Sequence, residues 1–319
     1  MLADEILLIR DYIFPMFSIF YNQYFPAKRR GRKSVPPEKI LATVIRVLKT
    51  GCQWRSVEES EHYANGSTAH HNFQKWVDAG LFDKLFSSTT LLFNIHVGYQ
   101  LTWQSIDCTK VQAPVRRLAS GRENTGPNPT DRGFKGSKLS LLVDKRGYIL
   151  GYCSSGANVH DSKLLEETIK NGMTNIVPFI GNKRVKMNLC LDKGYDGEAS
   201  EAIAFSYGYF SHIRSRGEEK YEKDHDKTGR KKSKRYVVER TNAWMKGYRA
   251  IRTRHTYYAD NFDGLVELAI VCSLMKPIVK KVSKEIFEAT ALQENWDEVF
   301  KLQEEYRATL GSEVLDLVV

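Results

Sequence analysis

Three acidic residues stand where they could do chemistry. Asp107 lies in "WQSIDCTKV", Asp192 in "LCLDKGYDG" and Glu239 in "RYVVERTNAWMKGYRAI". Strand side chains alternate, so Ile106 and Asp107 point to opposite faces. For one such aspartate a strand-end turn or cap is the ordinary reading; two, from distant parts of the chain, ask for more. Around Glu239 the pattern is helical. At about 100° per residue, Arg235, Glu239 and Lys246 share an arc of roughly 60°. Val237, Trp244, Tyr248 and Ile251 take nearly the opposite side, which is expected to be buried. Arg235 and Glu239 also make an ordinary i,i+4 pair, worth about 0.2–0.5 kcal/mol.

Carboxylates suit hard cations, and magnesium keeps several waters and takes few protein ligands. A phosphodiester repels hydroxide, so its hydrolysis needs charge neutralisation and an activated water. Two divalent cations roughly 4 Å apart supply both. Three clustered carboxylates without a cation are unfavourable, because like charges raise one another's pKa.

Several elements must position these groups. Residues 1–95 read mostly as helix. The opening "MLADEILLIRDYIFPMF" is amphipathic and is expected to break at Pro15. The linker "KRRGRKSVPPEK", with Arg29, Arg30, Arg32 and Lys33, is basic, and Pro36–Pro37 suit a helix start. "EKILATVIRVLKTG" has helical apolar spacing that Gly51 stops. The next helix opens with Ser67 or Thr68 as N-cap and is broken by Gly80. Together they fit a helix-turn-helix that contacts DNA, or a plain small bundle. Near residue 100 the texture changes to short β-rich runs, with a hairpin around Asp144–Gly147. The expected order is three antiparallel strands, then helix, strand, helix and strand: a mixed α/β sheet. "HDSKLLEETIKNG" and "GEASEAIAFSYG" are the helices. In "ANVHD", Asp161 reads as an N-cap and His160 as a residue that could orient a carboxylate or water.

Residues 215–235 are highly charged and lack apolar periodicity, the mark of a solvated loop. Within them Arg230, Lys231, Lys232, Lys234 and Arg235 could follow a phosphate backbone. The net charge of +10 points to a polyanionic partner, or else to a merely basic enzyme. Five scattered cysteines lack zinc or redox spacing and suggest a reducing cytoplasm. No apolar run approaches about eighteen residues, so no spanning helix is expected.

These segments resemble the DDE transposases of the bacterial IS4/IS5 insertion-sequence type, with an RNase H-like catalytic fold. The resemblance is carried by "SIDCTKVQAP", "TGPNPTDRGFKGSKLSLLVDKRGYILGYCSSGANVHDSKLLE", "LCLDKGYDG" and "RYVVERTNAWMKGYR". "GRKSVPPEKILATVIRVLKTGCQWRSVEES" is similar to that group's amino-terminal helical domain. It spans about residues 30–275. The resemblance implies that Asp107, Asp192 and Glu239 form a metal-binding triad for two Mg2+ ions, with Mn2+ as substitute. Of the family's Tyr-x2-Arg-x3-Glu-x6-Lys signature the chain supplies Arg235, Glu239 and Lys246; Lys232 stands at the tyrosine position. Asp196 is then a turn residue or a neighbour of the ligands.

The implied activity is cleavage at element ends and transfer of the 3′-hydroxyls to target DNA. Partners would be double-stranded DNA and a second copy, as a homodimer on DNA, in the cytoplasm. Rival readings are an inactive DNA-binding descendant and an RNase H-like nuclease without strand transfer. The expected layout is a helical DNA-binding domain over 1–95, a catalytic domain over 96–282 and a helical segment over 283–319. That last segment is amphipathic and acidic, and either packs on its own catalytic domain or pairs with a neighbouring subunit.

Overall fold

The computed structural model describes residues 3–26, 34–114, 124–128, 132–180, 186–213 and 236–309. The predicted DNA contacts Arg29, Arg30, Arg32, Lys33, Arg230, Lys231, Lys232 and Arg235 lie outside the described residues. Two compact units form, each from separated pieces of chain. The helical unit comprises Met1–Gly98, Gln112–Glu123 and Met245–Trp296; the sheet unit comprises Tyr99–Val111, Asn124–Trp244 and Asp297–Val319. These units do not follow the expected boundaries, since residues 245–282 cluster with the amino-terminal helices.

The sheet unit holds β1 (Trp103–Gln112), β2 (Gly126–Pro127), β3 (Lys135–Asp144), β4 (Ile149–Gly156), β5 (Met187–Leu191) and β6 (Tyr209–Ile213). Its spatial order is β4-β3-β1-β5-β6, with short β2 beside the start of β3. β3 and β4 are an antiparallel hairpin, whereas β5 runs parallel to both β1 and β6. The long helix α6 (Ser162–Ile180) links β4 to β5, and α7 (Glu198–Ser206) links β5 to β6. This is the RNase H-like arrangement. Ile106, Leu142, Leu165, Ile169 and Leu189 form its buried core, each fully buried aliphatic side chain contributing about 1.5–3 kcal/mol.

Two local devices hold the sheet. Asp144, 1% exposed, ties the hairpin: Oδ1 accepts the Arg146 and Tyr148 N–H groups at 2.9 Å each, and Oδ2 accepts the Gln100 N–H at 3.0 Å. Gly172 lies inside α6, which continues past it to Ile180. A Cβ on Gly151 of β4 would meet the Gly172 nitrogen at 2.3 Å, so paired glycines let helix and strand touch backbone to backbone.

The helical unit begins with α1 (Ala3–Leu8), a π-helical turn (Ile9–Ile13) and α2 (Phe14–Tyr24). Pro15 does not break this helix. The Phe14 N–H reaches back to Ile9 O, and this wider turn leads the chain into α2, with proline at its amino-terminal end. Proline starts α3 (Pro37–Thr50) and Gly51, at φ 64°, stops it. Helix α4 (Gly66–Asp78) is capped by Asn65, which accepts the Ser67 N–H at 3.0 Å, rather than by Ser67 or Thr68.

Residues 51–65 separate α3 from α4, far more than the about 3–4 residues of a helix-turn-helix. The pair joined by a tight turn is α4 and α5 (Leu81–His96), with Gly80 between them at φ 66°. The later helices, short α9 (Arg249–Arg252), α10 (Ala259–Val279) and α11 (Lys284–Gln293), complete this unit. α10 packs closely enough that a Cβ on Gly264 would lie 2.9 Å from Val77. The Phe287 ring of α11 packs tilted against Tyr12, with centroids 5.3 Å apart. From α12 (Trp296–Thr309), Tyr306 packs on the core of the sheet unit. Among the described residues no helix is long and apolar enough to cross a membrane.

Candidate active site

Parallel pairing places the first two carboxylates. Trp103, Gln104 and Ser105 of β1 face Asn188, Leu189 and Cys190 of β5. The pairing ends at Ser105–Cys190 and β5 at Leu191; the same register carried two residues further would bring Asp107 opposite Asp192, on the same side of the two strands. Both are half-buried. Asp192 also acts as a cap, its Oδ1 accepting the Lys193 N–H at 2.7 Å as the chain turns through Lys193–Tyr195. The ordinary reading of this aspartate, as a cap at a strand end, is what the structure shows.

Glu239 comes from α8 (Tyr236–Met245), a helix fixed to the β3–β4 hairpin. Thr241 Oγ1 donates to Gly147 O at 2.8 Å and Arg240 Nη2 donates to Arg146 O at 2.6 Å. Gly147 sits at φ 97°, and a Cβ there would crowd Thr241 Oγ1 at 2.8 Å, so only glycine lets helix and hairpin meet this closely. From the same helix Asn242 Nδ2 donates to Asp107 Oδ2 at 2.9 Å. Glu239 precedes Asn242 by three residues, the spacing of neighbours on one helix face. Asn242 thus links the helix that bears Glu239 to the strand that bears Asp107.

The side chains stand apart from any metal-bound arrangement. Among the described residues no three His, Cys, Asp or Glu side chains lie close enough to hold a metal ion as they are placed. Asp107 is turned to Asn242, Asp192 bends onto the Lys193 N–H, and Glu239 is exposed. The fit to a divalent cation rests instead on donor chemistry and one orphaned atom. The implied donors are all carboxylate oxygens, the type that magnesium and manganese take. Beside them Asn242 Oδ1 is buried and has no hydrogen-bond partner, a cost of about 1–3 kcal/mol that a water or another donor on the site would relieve.

On the other face of β1, Cys108 Sγ lies 3.2 Å from the Tyr195 hydroxyl. Burial pushes the Cys108 thiol up to about 12, so it remains neutral rather than serving as a thiolate. Burial also raises Tyr195, with smaller contributions from Cys108, Asp161 and Asp107. Nearby, Lys138 of β3 is 6% exposed along its side chain and pairs with Asp161, while also donating to Val159 O. Asp161 precedes α6 as the sequence suggests, but its carboxylate is committed to Lys138.

His160 is exposed and makes a local bond, Nδ1 to Ser162 Oγ at 2.8 Å. Asp196 is exposed in the turn after Tyr195. Lys246 falls beyond α8, in the turn where the Tyr248 N–H bonds Met245 O at 3.1 Å. The helical wheel therefore ends at Met245 and does not carry Lys246, Tyr248 or Ile251. Trp244 corrects the reading further. It is 54% exposed, whereas Val237 is buried at 5%. Asn242 and Lys138 escaped the sequence reading. Asn242 could have been found one turn after Glu239; for Lys138 the only signal was a charged residue in an apolar strand.

Comparison with known proteins gives the following. Residues 103–274 match the family described as "Transposase DDE domain", and residues 20–86 that described as "Putative transposase of IS4/5 family". The "Putative transposase for insertion sequence element IS402" of Burkholderia cepacia is 33% identical over 157 residues, 48% of this chain and 70% of that protein. Among solved structures, the catalytic domain of Mos1 mariner transposase aligns at a TM-score of 0.27 and 9% identity, over 61% of this chain and 95% of that one. The Mos1 strand transfer complex aligns at a TM-score of 0.29 and 9% identity, over 90% and 81%.

Proposed function

Since the chain belongs to the DDE-domain transposases of the IS4/IS5 type, we propose that it cuts element ends and joins their 3′-hydroxyls to target DNA. What supports this reading is the parallel β1–β5 register, which carried two residues past Ser105–Cys190 would bring Asp107 opposite Asp192, with Asn242 tying the helix of Glu239 to Asp107. In it, Asp107, Asp192 and Glu239 would hold two divalent ions, magnesium or manganese. When bound, these neutralise the phosphodiester and activate the attacking oxygen.

The chain's own residues prepare the rest. Asn242 orients the Asp107 carboxylate, and the Lys193 N–H does the same for Asp192. The hairpin bonds to Arg240 and Thr241 fix where Glu239 emerges. Water is the first nucleophile and the exposed 3′-hydroxyl the second, so one site serves two successive attacks at phosphorus. The basic residues Arg29, Arg30, Arg32, Lys33, Arg230, Lys231, Lys232, Arg235 and Lys246 are assigned to DNA. Because two ends must be joined, the working form is a homodimer on DNA.

The test is incubation of purified protein with Mg2+ and labelled element ends. Cleaved and joined products are expected, and chelation by EDTA should remove both. Asp107→Asn, Asp192→Asn and Glu239→Gln should each abolish cleavage while retaining DNA binding. Near-normal cleavage by any of them removes that residue from the triad, and nicks without joined product indicate a nuclease instead.

A further inference from the structure

The exposed side of α8 carries Tyr236, Arg240 and Trp244 at i, i+4 and i+8, a single stripe along the helix. Tyr236 and Trp244 are 52% and 54% exposed, large rings with no burial to account for them. What they do contact is a cation. The Arg240 guanidinium lies 4.8 Å from the Trp244 ring centroid and 5.9 Å from that of Tyr236. Its Nη2 is also held by Arg146 O at 2.6 Å, and the Arg146 guanidinium lies over the Tyr148 ring at 4.9 Å.

An exposed arginine ordinarily samples many rotamers and loses that freedom on binding. Here two rings and a carbonyl hold it in place before any ligand arrives. A guanidinium offers five N–H donors and only one is used by Arg146 O. Next to Arg240 in sequence stands Glu239, about 100° around the helix, so a strand crossing this exposed crest would touch both.

We propose that Arg240, braced by Trp244 and Tyr236, is a preorganised clamp for a backbone phosphate of the DNA strand passing Glu239. The occupant is argued from charge: a fixed cation on a chain of net charge +10 suits a phosphodiester. The planar fork of donors matches phosphate oxygens in pairs. The inference rests on the DNA reading above and adds a contact that reading does not contain.

The experiment is a binding titration of the full chain against a fluorescent duplex of about three helical turns, repeated over a salt series. Each phosphate contact adds about 0.9 to the slope of log affinity against log salt. Arg240→Ala should therefore lower the slope by about one and weaken binding several-fold at low salt. Arg240→Lys should keep the slope but bind more weakly, because an ammonium lacks the stacked, forked geometry. Trp244→Leu should weaken binding with the slope retained, and Trp244→Phe should restore most of the loss. A wild-type slope in Arg240→Ala overturns the clamp while leaving the transposase reading in place. Failure of the wild-type chain to bind duplex at all overturns the DNA reading and the clamp with it. A loss in Arg240→Ala confined to self-association, with DNA affinity unchanged, would assign the stripe to a second copy and also overturn the clamp.

Discussion

Asn242 is 6% exposed and spends its amide on Asp107 while its carbonyl oxygen is left without a partner. Such an arrangement makes the residue a positioner of the carboxylate. Asn242→Ala is expected to lower cleavage by about 10–100-fold, the usual range for groups that orient a metal ligand, and to weaken Mn2+ binding measured by titration. Asn242→Asp should be worse, because a second carboxylate beside Asp107 repels it; a variant with wild-type Mn2+ affinity would assign Asn242 to folding alone. The Lys138–Asp161 pair allows an asymmetric prediction. Lys138 is 6% exposed and Asp161 36% along their side chains, so the lysine is the partner that water cannot rescue. Asp161→Asn should destabilise the fold by about 1–3 kcal/mol, more than Lys138→Met, as read by urea unfolding.

At the level of elements, the glycine pair between β4 and α6 fixes how closely helix meets sheet. A Cβ on Gly151 would strike the backbone of α6 at 2.3 Å, but one on Gly172 would strike Leu142 Cδ2, the movable end of a side chain, at 2.4 Å. Gly151→Ala should therefore cost about 1–3 kcal/mol or more. Gly172→Ala should cost less, since alanine also returns about 1 kcal/mol of helix propensity; equal melting temperatures for the two would contradict this. Much at this level was legible in sequence. The strand sequence, the Asp144–Gly147 hairpin and the Pro37 and Gly51 limits of α3 depend on local chemistry, which a sequence carries. Trp244 misled because the buried arc of α8 is centred on Val238, Thr241 and Met245, with Val237 at its edge and Trp244 just outside it. The two aspartates were legible as a pair only through the family resemblance; their juxtaposition depends on strand register.

For the whole molecule, the helical unit is the feature that matters most. It closes only when residues 245–296 join the amino-terminal helices, and α10 supplies its central buried helix. A fragment ending at residue 98 is expected to lack a cooperative thermal transition and to expose the ring cluster of Phe17, Trp76 and Phe82. A sharp melting transition in that fragment, seen by circular dichroism, would show that α10 is dispensable. The same discontinuity sets a clock during synthesis. On a ribosome adding about 5–20 residues per second, the first helices wait roughly ten to thirty seconds for the chain that covers them. Throughout that interval the sheet unit is emerging between them, so the apolar faces of the first helices stay uncovered. A message cut short before residue 245 would yield a product with an open hydrophobic face, suited to proteolysis rather than to lasting as a folded fragment.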